Sequence, residues 1–356
     1  MIPRDVIDKI LDAGVQAPSG DNSQPWQFAI ENDSILVFNI PGLDNPIFNF
    51  RQRGSYVAQG AVIENMVVAA GHFGYSAHVE IFPDFARPEL TAVVTLAPSV
   101  PKEDLLYAAI YERSTNRKKY ADTQLTDEQR TAILDTIEEI TGVQLFLTEN
   151  AQQKQILGRA VSMNEVVMLE NHELHDYFFG DVRWSEKEEK EKKSGLYVKT
   201  MELAPPQKLI FKLLSSWPVA QVLNALGIAR FIAKENAKSY SSGAAIGVIV
   251  VSNKDQNFVL TGRAMQRVWL KVTTMGLSMH LITGILYLMQ GIAAGKKDLS
   301  EQHIAVVKNA YADILSTFPI EGEVVSMLFR IGHGGSPSAR SSKKAPIIVS
   351  APDTLK

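Results

Sequence analysis

The sequence predicts an α+β fold with two related units in one chain, each an antiparallel-rich sheet packed by helices. Short apolar strands alternate with longer segments of helical periodicity, which is typical of mixed folds. The pattern breaks at Pro98 and Pro101, which places the boundary between a unit at 1–102 and a unit at 103–356. Because 356 residues exceed one ordinary domain, two core units are expected.

A glycine interval supports the idea of two related units. Gly60 is followed by Gly74, and Gly262 by Gly276, so the same fourteen-residue spacing occurs twice. Each pair brackets an apolar helix that leads into strands. The interval alone is a weak signal, but its recurrence in both units indicates an internal duplication.

The first unit begins with an amphipathic helix, because Ile7, Ile10, Leu11 and Val15 share one face. A hairpin follows, turned at Asn32 and Asp33. The remaining patterns predict hairpin strands at 27–30 and 35–40, a loop at 41–54, a helix at 59–75, and strands at 77–82 and 92–96.

The second unit is longer and carries an insertion. The patterns predict helices starting near 104 and spanning 126–139, 151–178, 262–276 and 300–316, with strands at 144–148, 245–252, 324–331 and 346–350 and a loop at 281–284. Residues 186–193 are a charge run, which favours a solvated helix face. Residues 209–233 are apolar with helical spacing, either core or a hydrophobic flap, and the pattern favours core.

Composition excludes several functional classes. The net charge of −3 gives no reason to expect nucleic acid or a membrane as a partner. The absence of cysteine excludes disulfides and thiolate metal sites, and it fits a cytoplasmic protein. No leader peptide or membrane span is expected from the hydropathy pattern. No zinc-helix or serine-elbow spacing is present, so neither a zinc site nor serine hydrolase chemistry is predicted.

Residues 17–28, APSGDNSQPWQF, are suited to close contact with a ligand. Pro18 restricts the backbone, Ser19 and Asn22 supply short polar side chains, and Gly20 permits close approach of the chain. An ordinary connection between a helix and a strand remains the alternative for these residue types alone.

A second motif alternates cations with a hydroxyl. In an extended segment, Arg113, Thr115 and Arg117 lie on the same side. Two guanidiniums and a hydroxyl suit a phosphate dianion, because each charge-assisted hydrogen bond contributes about 1.5–3 kcal/mol. A third basic segment, Arg340 with Lys343 and Lys344, follows in a Gly/Ser/Pro-rich tail. Each segment alone is equally compatible with a basic surface.

These three segments together resemble the nitroreductase superfamily. The string Ala-Pro-Ser-x-x-Asn-x-Gln-Pro-Trp at 17–26 matches the loop that contacts the flavin ring of FMN in that family. The resemblance implies that Pro18, Ser19, Gly20 and Asn22 face the ring. It further implies that Arg113, Thr115, Arg117 and Arg340 hold the phosphate.

The resemblance extends to residues 276–284, where the family presents backbone to the flavin edge. It implies that Ile282, Thr283 and Gly284 lie there, with an N–H directed at flavin N5. The family usually has Pro-Ile-Glu-Gly where this chain has Leu-Ile-Thr-Gly at 281–284, which puts a side-chain role for Thr283 in doubt.

The motifs are divided between the two units. The loop occurs only in the first and the Arg-x-Thr-x-Arg segment only in the second, so the chain resembles the internally duplicated, Acg-like branch with one composite site. The resemblance implies an FMN-dependent NAD(P)H oxidoreductase with a ping-pong reaction and a nitroaromatic, quinone or similar small-molecule acceptor. A monomer suffices for such a site, and a homodimer is left open.

Two alternatives remain at this stage. Residues 180–240 could form a lid over the flavin, which would make the chain an FMN-binding or flavin-sequestering protein with little reductase activity. A scaffold that has lost flavin is the weaker alternative.

Overall fold

The computed structural model describes residues 2–84, 86–102 and 105–350. The helices are α1 Arg4–Gly14, α2 Arg53–His72, α3 Leu105–Glu112, α4 Asp127–Leu134, α5 Ala151–Glu170, α6 His172–Asp181, α7 Glu186–Lys192, α8 Pro205–Leu214, α9 Trp217–Ala225, α10 Ile228–Tyr240, α11 Asn257–Thr274, α12 Gly284–Ala293 and α13 Glu301–Leu315. The strands are β1 Trp26–Glu31, β2 Ser34–Asn39, β3 Tyr75–Ile81, β4 Leu90–Pro98, β5 Val143–Thr148, β6 Val182–Arg183, β7 Leu196–Tyr197, β8 Ala245–Val251, β9 Ser278–Leu281 and β10 Val324–Gly332.

Two four-stranded antiparallel sheets form the frame, which confirms the predicted α+β class. The first has the order β1-β2-β4-β3 and the second the order β5-β8-β10-β9. Every residue of β8 is buried, as its run of β-branched residues predicts. The exact boundary between units, near residue 102, stays a prediction.

The two glycine-bracketed helices cross each other at their first glycines. A Cβ added to Gly60 of α2 would lie 2.0 Å from the Val259 carbonyl oxygen of α11 and 2.9 Å from the Cα of Gly262. A Cβ on Gly262 would lie 2.0 Å from the Val57 carbonyl oxygen. The second glycine of each pair has a positive φ, +82° at Gly74 and +69° at Gly276. The repeated interval therefore marks equivalent positions in two packed helices.

A single apolar core joins the two sheets through this helix pair. It contains Ile10, Phe28 and Ile63 from the first part of the chain and Trp269 and Phe329 from the second. A second cluster packs α5, α12 and α13 against the other face of the second sheet. The joined core fixes the position of the two sheets relative to each other.

Most predicted elements are confirmed with shifted ends. Helix α2 begins at Arg53, inside the segment predicted as loop. The predicted helix 151–178 is divided at Asn171, which has an extended backbone and caps α6 through its side chain. The short strand β9 and helix α12 were not predicted. The predicted loop at 281–284 is shorter in the structure, since Leu281 ends β9 and Gly284 begins α12. The predicted helix start near 104 lies outside the described residues.

The prediction that residues 209–233 are core is wrong for much of the segment. Leu214, Ala220, Ala229 and Ala233 are buried, but half of the large apolar side chains on α8, α9 and α10 are exposed. Apolar residues at helical spacing predict a helix. They do not show which apolar face of that helix packs against the rest of the protein.

The chain end returns to the first sheet. Phe28 of β1 donates its N–H to the Ile347 carbonyl and accepts from Val349, each at 2.8 Å. The strand predicted at 346–350 is thus a single bridge at Ile348. In the described part of the chain, no helix combines the length and the apolar character that crossing a bilayer requires.

Candidate functional site

A cleft lies between the loop at 18–24, the segment at 113–117, the N-terminus of α12 and the chain's tail. It consists of a cavity of about 150 Å³ and a larger one of about 300 Å³. Residues that line both cavities are Pro18, Ser19, Asp21, Thr115 and Arg117. These shared residues place the two cavities side by side, and we call the pair the cleft.

The loop that borders both cavities has an unusual backbone. Asp21, Asn22 and Gln24 have φ values of 42°, 55° and 57°, in the left-handed region that side-chain-bearing residues rarely adopt. Gly20, to which the sequence assigned the close approach, is not among them. Side-chain hydrogen bonds stabilise this backbone conformation. The Ser19 hydroxyl accepts from the Gln24 N–H at 3.0 Å, and the Asn22 side chain donates to the Ser342 carbonyl at 2.9 Å.

The segment with alternating cations continues the second sheet. Thr115 forms a parallel bridge with Met279 of β9, and the Asn116 N–H donates to the Met279 carbonyl. Asn116 is buried and donates to Gly335, whereas Arg113, Thr115 and Arg117 line the smaller cavity. Arg113, Thr115 and Arg117 therefore share one side of the segment, as the two-residue alternation predicted.

Arg113 lies in the wall of the smaller cavity without an acidic partner. Its guanidinium stacks over Trp269, with Cζ 4.3 Å from the ring centroid, and donates to the Gln16 carbonyl at 2.9 Å. Its Nε is buried without a hydrogen-bond partner among the described residues. Burial and the charge of Arg340 lower the pKa of Arg113 to about 9.

Three further cations around this cavity also bond only to neutral acceptors in the described structure. Arg117 donates to the Thr200 carbonyl at 3.1 Å, and burial lowers its pKa. Arg340 donates to the carbonyls of Tyr111 and Glu112 at the end of α3. Lys343 donates to the Ala17 carbonyl at 2.7 Å and to Asn22 at 2.9 Å. Four cations thus surround one cavity without a carboxylate ion pair.

The surroundings of Lys343 change the pKa of its amine. Burial and the neighbouring Arg113 lower its pKa to about 7, while Glu189 acts in the opposite direction. An anion in the cavity would favour the charged form of the amine.

The larger cavity has mainly apolar walls and a helix N-terminus at its edge. Thr283 and Gly284 line it where α12 begins, and their N–H groups have no acceptor among the described residues. Its apolar walls comprise Leu43, Phe48, Val57, Ala58, Met168, Phe178, Met265, Leu281, Tyr287 and Met327. Such a cavity suits a flat, largely apolar group with a polar edge at the helix N-terminus.

Ile282 is the predicted site residue that the structure leaves outside the cleft. Its N–H donates to the Leu328 carbonyl at 2.8 Å, and its side chain packs against the second core cluster. An N–H directed at a bound ring must therefore come from Thr283 or Gly284. The sequence could not reveal this, because register within the short strand β9 decides it.

Three carboxylates border the larger cavity. Burial, together with the nearby Asp181 and Asp44, raises the pKa of Asp21 to about 6. Burial also raises the pKa of Asp44, which accepts from the Ser55 hydroxyl at 2.6 Å. Asp21 is therefore protonated in part close to neutral pH, although Arg117 opposes the shift.

The structure brings ten of the eleven predicted site residues to this cleft. They are Pro18, Ser19, Gly20, Asn22, Arg113, Thr115, Arg117, Thr283, Gly284 and Arg340.

Residues that the sequence did not assign to the site include Asp44, Asn164, Thr200, Tyr287 and Lys343. Asn164 is instructive, because its buried Oδ1 has no partner among the described residues and lies where a Cβ on Gly284 would be 2.2 Å away. Nothing in the pattern of α5 distinguishes this asparagine. The basic tail was the one available signal for Lys343.

Comparisons with known proteins also return nitroreductases, the family that the motifs resemble. No family model matches the chain. A Mycobacterium tuberculosis protein, "Uncharacterized protein MT1398", is 23% identical over 354 residues, covering 96% of this chain and 48% of its own length. A second protein from that organism, "Putative NAD(P)H nitroreductase acg", is 30% identical over 145 residues, covering 38% of this chain and 44% of its own.

The chain spans about half, or less, of these curated relatives. The relatives nevertheless confirm the resemblance drawn from the motifs: the chain is similar in sequence to nitroreductases, Acg among them.

Solved structures that align with the chain include nitroreductases, at low similarity. A nitroreductase with bound FMN from Bacteroides fragilis is 10% identical, covers 71% of this chain and 98% of its own, and has a TM-score of 0.36. The FMN-dependent nitroreductase NfnB from Mycobacterium smegmatis, in complex with NADPH, is 12% identical, covers 65% and 87%, and has a TM-score of 0.36. TM-scores this low add no argument of their own.

Proposed function

We propose that the chain is an FMN-dependent NAD(P)H oxidoreductase of the nitroreductase type, with FMN bound in the cleft. Its substrates would be a reduced nicotinamide and a small oxidised acceptor such as a nitroaromatic or a quinone. Since a single chain supplies every wall of the cleft described above, a monomer suffices.

One observation carries the proposal: four cations face a small cavity and bond only to neutral oxygens. Arg113, Arg117, Arg340 and Lys343 leave that cavity with uncompensated positive charge, because Asp21 is the sole acid in its walls. Arg340 is exposed, but Arg113, Arg117 and Lys343 are half-buried, and unpaired charges that have lost part of their hydration are costly unless a counter-ion joins them. A phosphate dianion with three acceptor oxygens meets that requirement, and the free Nε of Arg113 is a donor for it.

The larger cavity fits the rest of such a cofactor. Ten apolar side chains line it beside polar ones, and the unpaired N–H groups of Thr283 and Gly284 are donors for polar atoms at the edge of a ring. Gly284 lets the bound group and Asn164 approach the helix end, because any Cβ there would collide with Asn164. The cleft therefore offers an anion site and a ring site side by side.

Bound FMN would supply the redox chemistry, taking a hydride equivalent from NAD(P)H and then giving two electrons to the acceptor. The chain's own part is to hold the phosphate at Arg113, Arg117, Arg340 and Lys343 and to orient the ring edge at Thr283 and Gly284. The apolar walls exclude water from the ring. Donor and acceptor would use the same open face in turn, which gives a ping-pong order.

The test is a visible spectrum of the purified protein, recorded before and after anaerobic addition of NADPH or NADH. We expect the bands of oxidised flavin and their bleaching on addition of a reduced nicotinamide. Subsequent addition of a nitroaromatic or quinone should restore the bands. A colourless protein that also fails to bind added FMN would contradict the proposal.

A flavin-sequestering function is the second candidate, because part of the insertion lies over the cleft. Gly195, Leu196 and Thr200 line the smaller cavity, and Asp181 lines the larger one. The carbonyl of Lys193 accepts from Gln24 at 2.6 Å, which fixes this segment to the loop. Flavin bands that neither nicotinamide bleaches, but that dithionite does, would favour sequestration over the oxidoreductase.

Flavin affinity should fall as pH rises above neutral, and Lys343 should cause part of the decrease. Its pKa is about 7 in the protein alone. Because a bound phosphate raises this pKa, binding takes up a proton, and affinity decreases between pH 7 and pH 9. The FMN phosphate is already a dianion in that range, with a second pKa of about 6.

The measurement is the dissociation constant of FMN by flavin fluorescence at several pH values. The variant Lys343→Met should bind more weakly at pH 7 and lose part of the pH dependence. Lys344→Met, one residue along the tail, is the matched control and should retain it. Equal slopes in all three proteins would rule out Lys343 as a phosphate ligand.

A further inference from the structure

The outer face of α8, α9 and α10 carries an exposed apolar surface. Of the fourteen exposed large apolar side chains in the described structure, seven lie within 23 residues of one another, with exposed fractions from 36% to 80%. We call these seven the apolar patch: Leu209, Ile210, Leu213, Val219, Val222, Leu226 and Phe231. Six of the seven lie on α8, α9 and α10, and Leu226 lies between α9 and α10. Concentration of half the set in one short segment distinguishes the patch from scattered surface residues.

The patch rests on a fixed base. On the inner side of the same helices, Leu214, Ala220 and Ala229 are buried in the third core cluster, against Phe179 and Met168. Asn224 of α9 donates to the Leu169 carbonyl of α5 at 2.6 Å. The outward residues are therefore presented by anchored helices, and the described chain does not cover them.

The charge around the patch is opposite to that of the whole protein. Residues 205–240 contain five basic residues and one acidic residue, a net charge of +4, in a chain whose net charge is −3. Lys208, Lys212, Arg230 and Lys234 are exposed and form no ion pair within the described residues. Long basic side chains beside apolar ones are typical of surfaces that lie on anionic lipid.

We propose that the apolar patch docks the protein peripherally on an anionic lipid bilayer. A second copy of this chain is disfavoured as the occupant, because a symmetric contact would bring the same cations together. A small ligand or extended peptide needs a concave site, and none of the seven residues lines either cavity of the cleft. A lipid surface accepts a broad apolar face with cations at its rim.

The test is co-sedimentation of the full chain with vesicles of phosphatidylcholine alone or mixed with phosphatidylglycerol. We expect binding to the anionic vesicles that weakens with salt, and little binding to phosphatidylcholine. The double variant Leu213→Glu/Leu226→Glu should bind at least about tenfold more weakly. Val100→Glu changes an apolar residue that is 80% exposed elsewhere, and should bind like the parent.

Circular dichroism and flavin content should be unchanged in the variants, since the exchanged side chains face solvent. Failure of the parent protein to bind anionic vesicles at low salt would overturn the proposal. Equal binding by the double variant would overturn it as well. A concentration-dependent dimer that the double variant abolishes, without vesicle binding, would assign the patch to a second copy instead. None of these outcomes depends on whether the cleft holds flavin.

Discussion

Replacement of Arg117 with alanine is expected to weaken FMN binding by about one to two orders of magnitude. A charge-assisted hydrogen bond contributes about 1.5–3 kcal/mol, and each 1.4 kcal/mol changes a dissociation constant tenfold. Arg117 lines both cavities and its only hydrogen bonds in the described structure are to Thr200, so its loss leaves no carboxylate unpaired. The fold should therefore tolerate the change, which separates binding from stability.

The measurement is titration of flavin-free protein with FMN and, separately, with riboflavin. Because riboflavin lacks the phosphate, Arg117→Ala should change its binding much less than that of FMN. Arg117→Lys keeps the charge but not the planar fork, so it should give an intermediate value. Arg130→Ala removes a guanidinium whose partners are Glu149 and Asp127, outside the cleft, and serves as the matched control. Equal FMN affinity in Arg117→Ala and the parent would contradict the phosphate assignment.

The local sequence predicted which segments line the cleft but not how they are arranged. Alternation of Arg113, Thr115 and Arg117 predicted a shared side correctly, because an extended backbone has a fixed period of two. Ile282 was misplaced, because its N–H is used by Leu328 across the sheet. Such a pairing depends on strand register, which residues distant in sequence determine.

The net charge of the whole chain also differs from the net charge of one of its segments. The net charge of −3 predicted no membrane partner, although residues 205–240 carry +4. Likewise, the apolar spacing at 209–233 predicted core, and only part of that segment is buried. Whether a helix face is buried depends on which other elements the fold packs against it. In the described structure, α8, α9 and α10 are packed against the rest of the protein on one side only.

The glycine repeat, by contrast, is visible in the sequence and corresponds to a tertiary contact in the structure. Gly60→Ala is expected to destabilise the protein by about 3 kcal/mol or more, because overpacking a tight contact costs about 1–3 kcal/mol and sometimes more. The new Cβ would lie 2.0 Å from the Val259 carbonyl, which is main chain and has no alternative rotamer. Helices α2 and α11 would have to separate, which opens the core that joins the two sheets.

Gly71→Ala, in the same helix, is the matched control for this prediction. Its Cβ would be 3.5 Å from the nearest atom, in the flexible side chain of Lys102, so we expect no loss and a gain of up to about 1 kcal/mol from helix propensity. The free energies of unfolding are measured by urea denaturation followed by circular dichroism. Gly262→Ala should match Gly60→Ala, since its Cβ would meet the Val57 carbonyl at the same crossing.

The double variant Gly60→Ala/Gly262→Ala provides the sharper result. Both methyl groups strain one contact, so once the helices have separated for the first methyl, the second should cost less than it does alone. The loss of unfolding free energy in the double variant should therefore be smaller than the sum of the single losses. Full additivity would mean that the two glycines act at independent sites. In that case the equal spacing of Gly60 to Gly74 and Gly262 to Gly276 would not reflect one pair of equivalent, mutually packed helices.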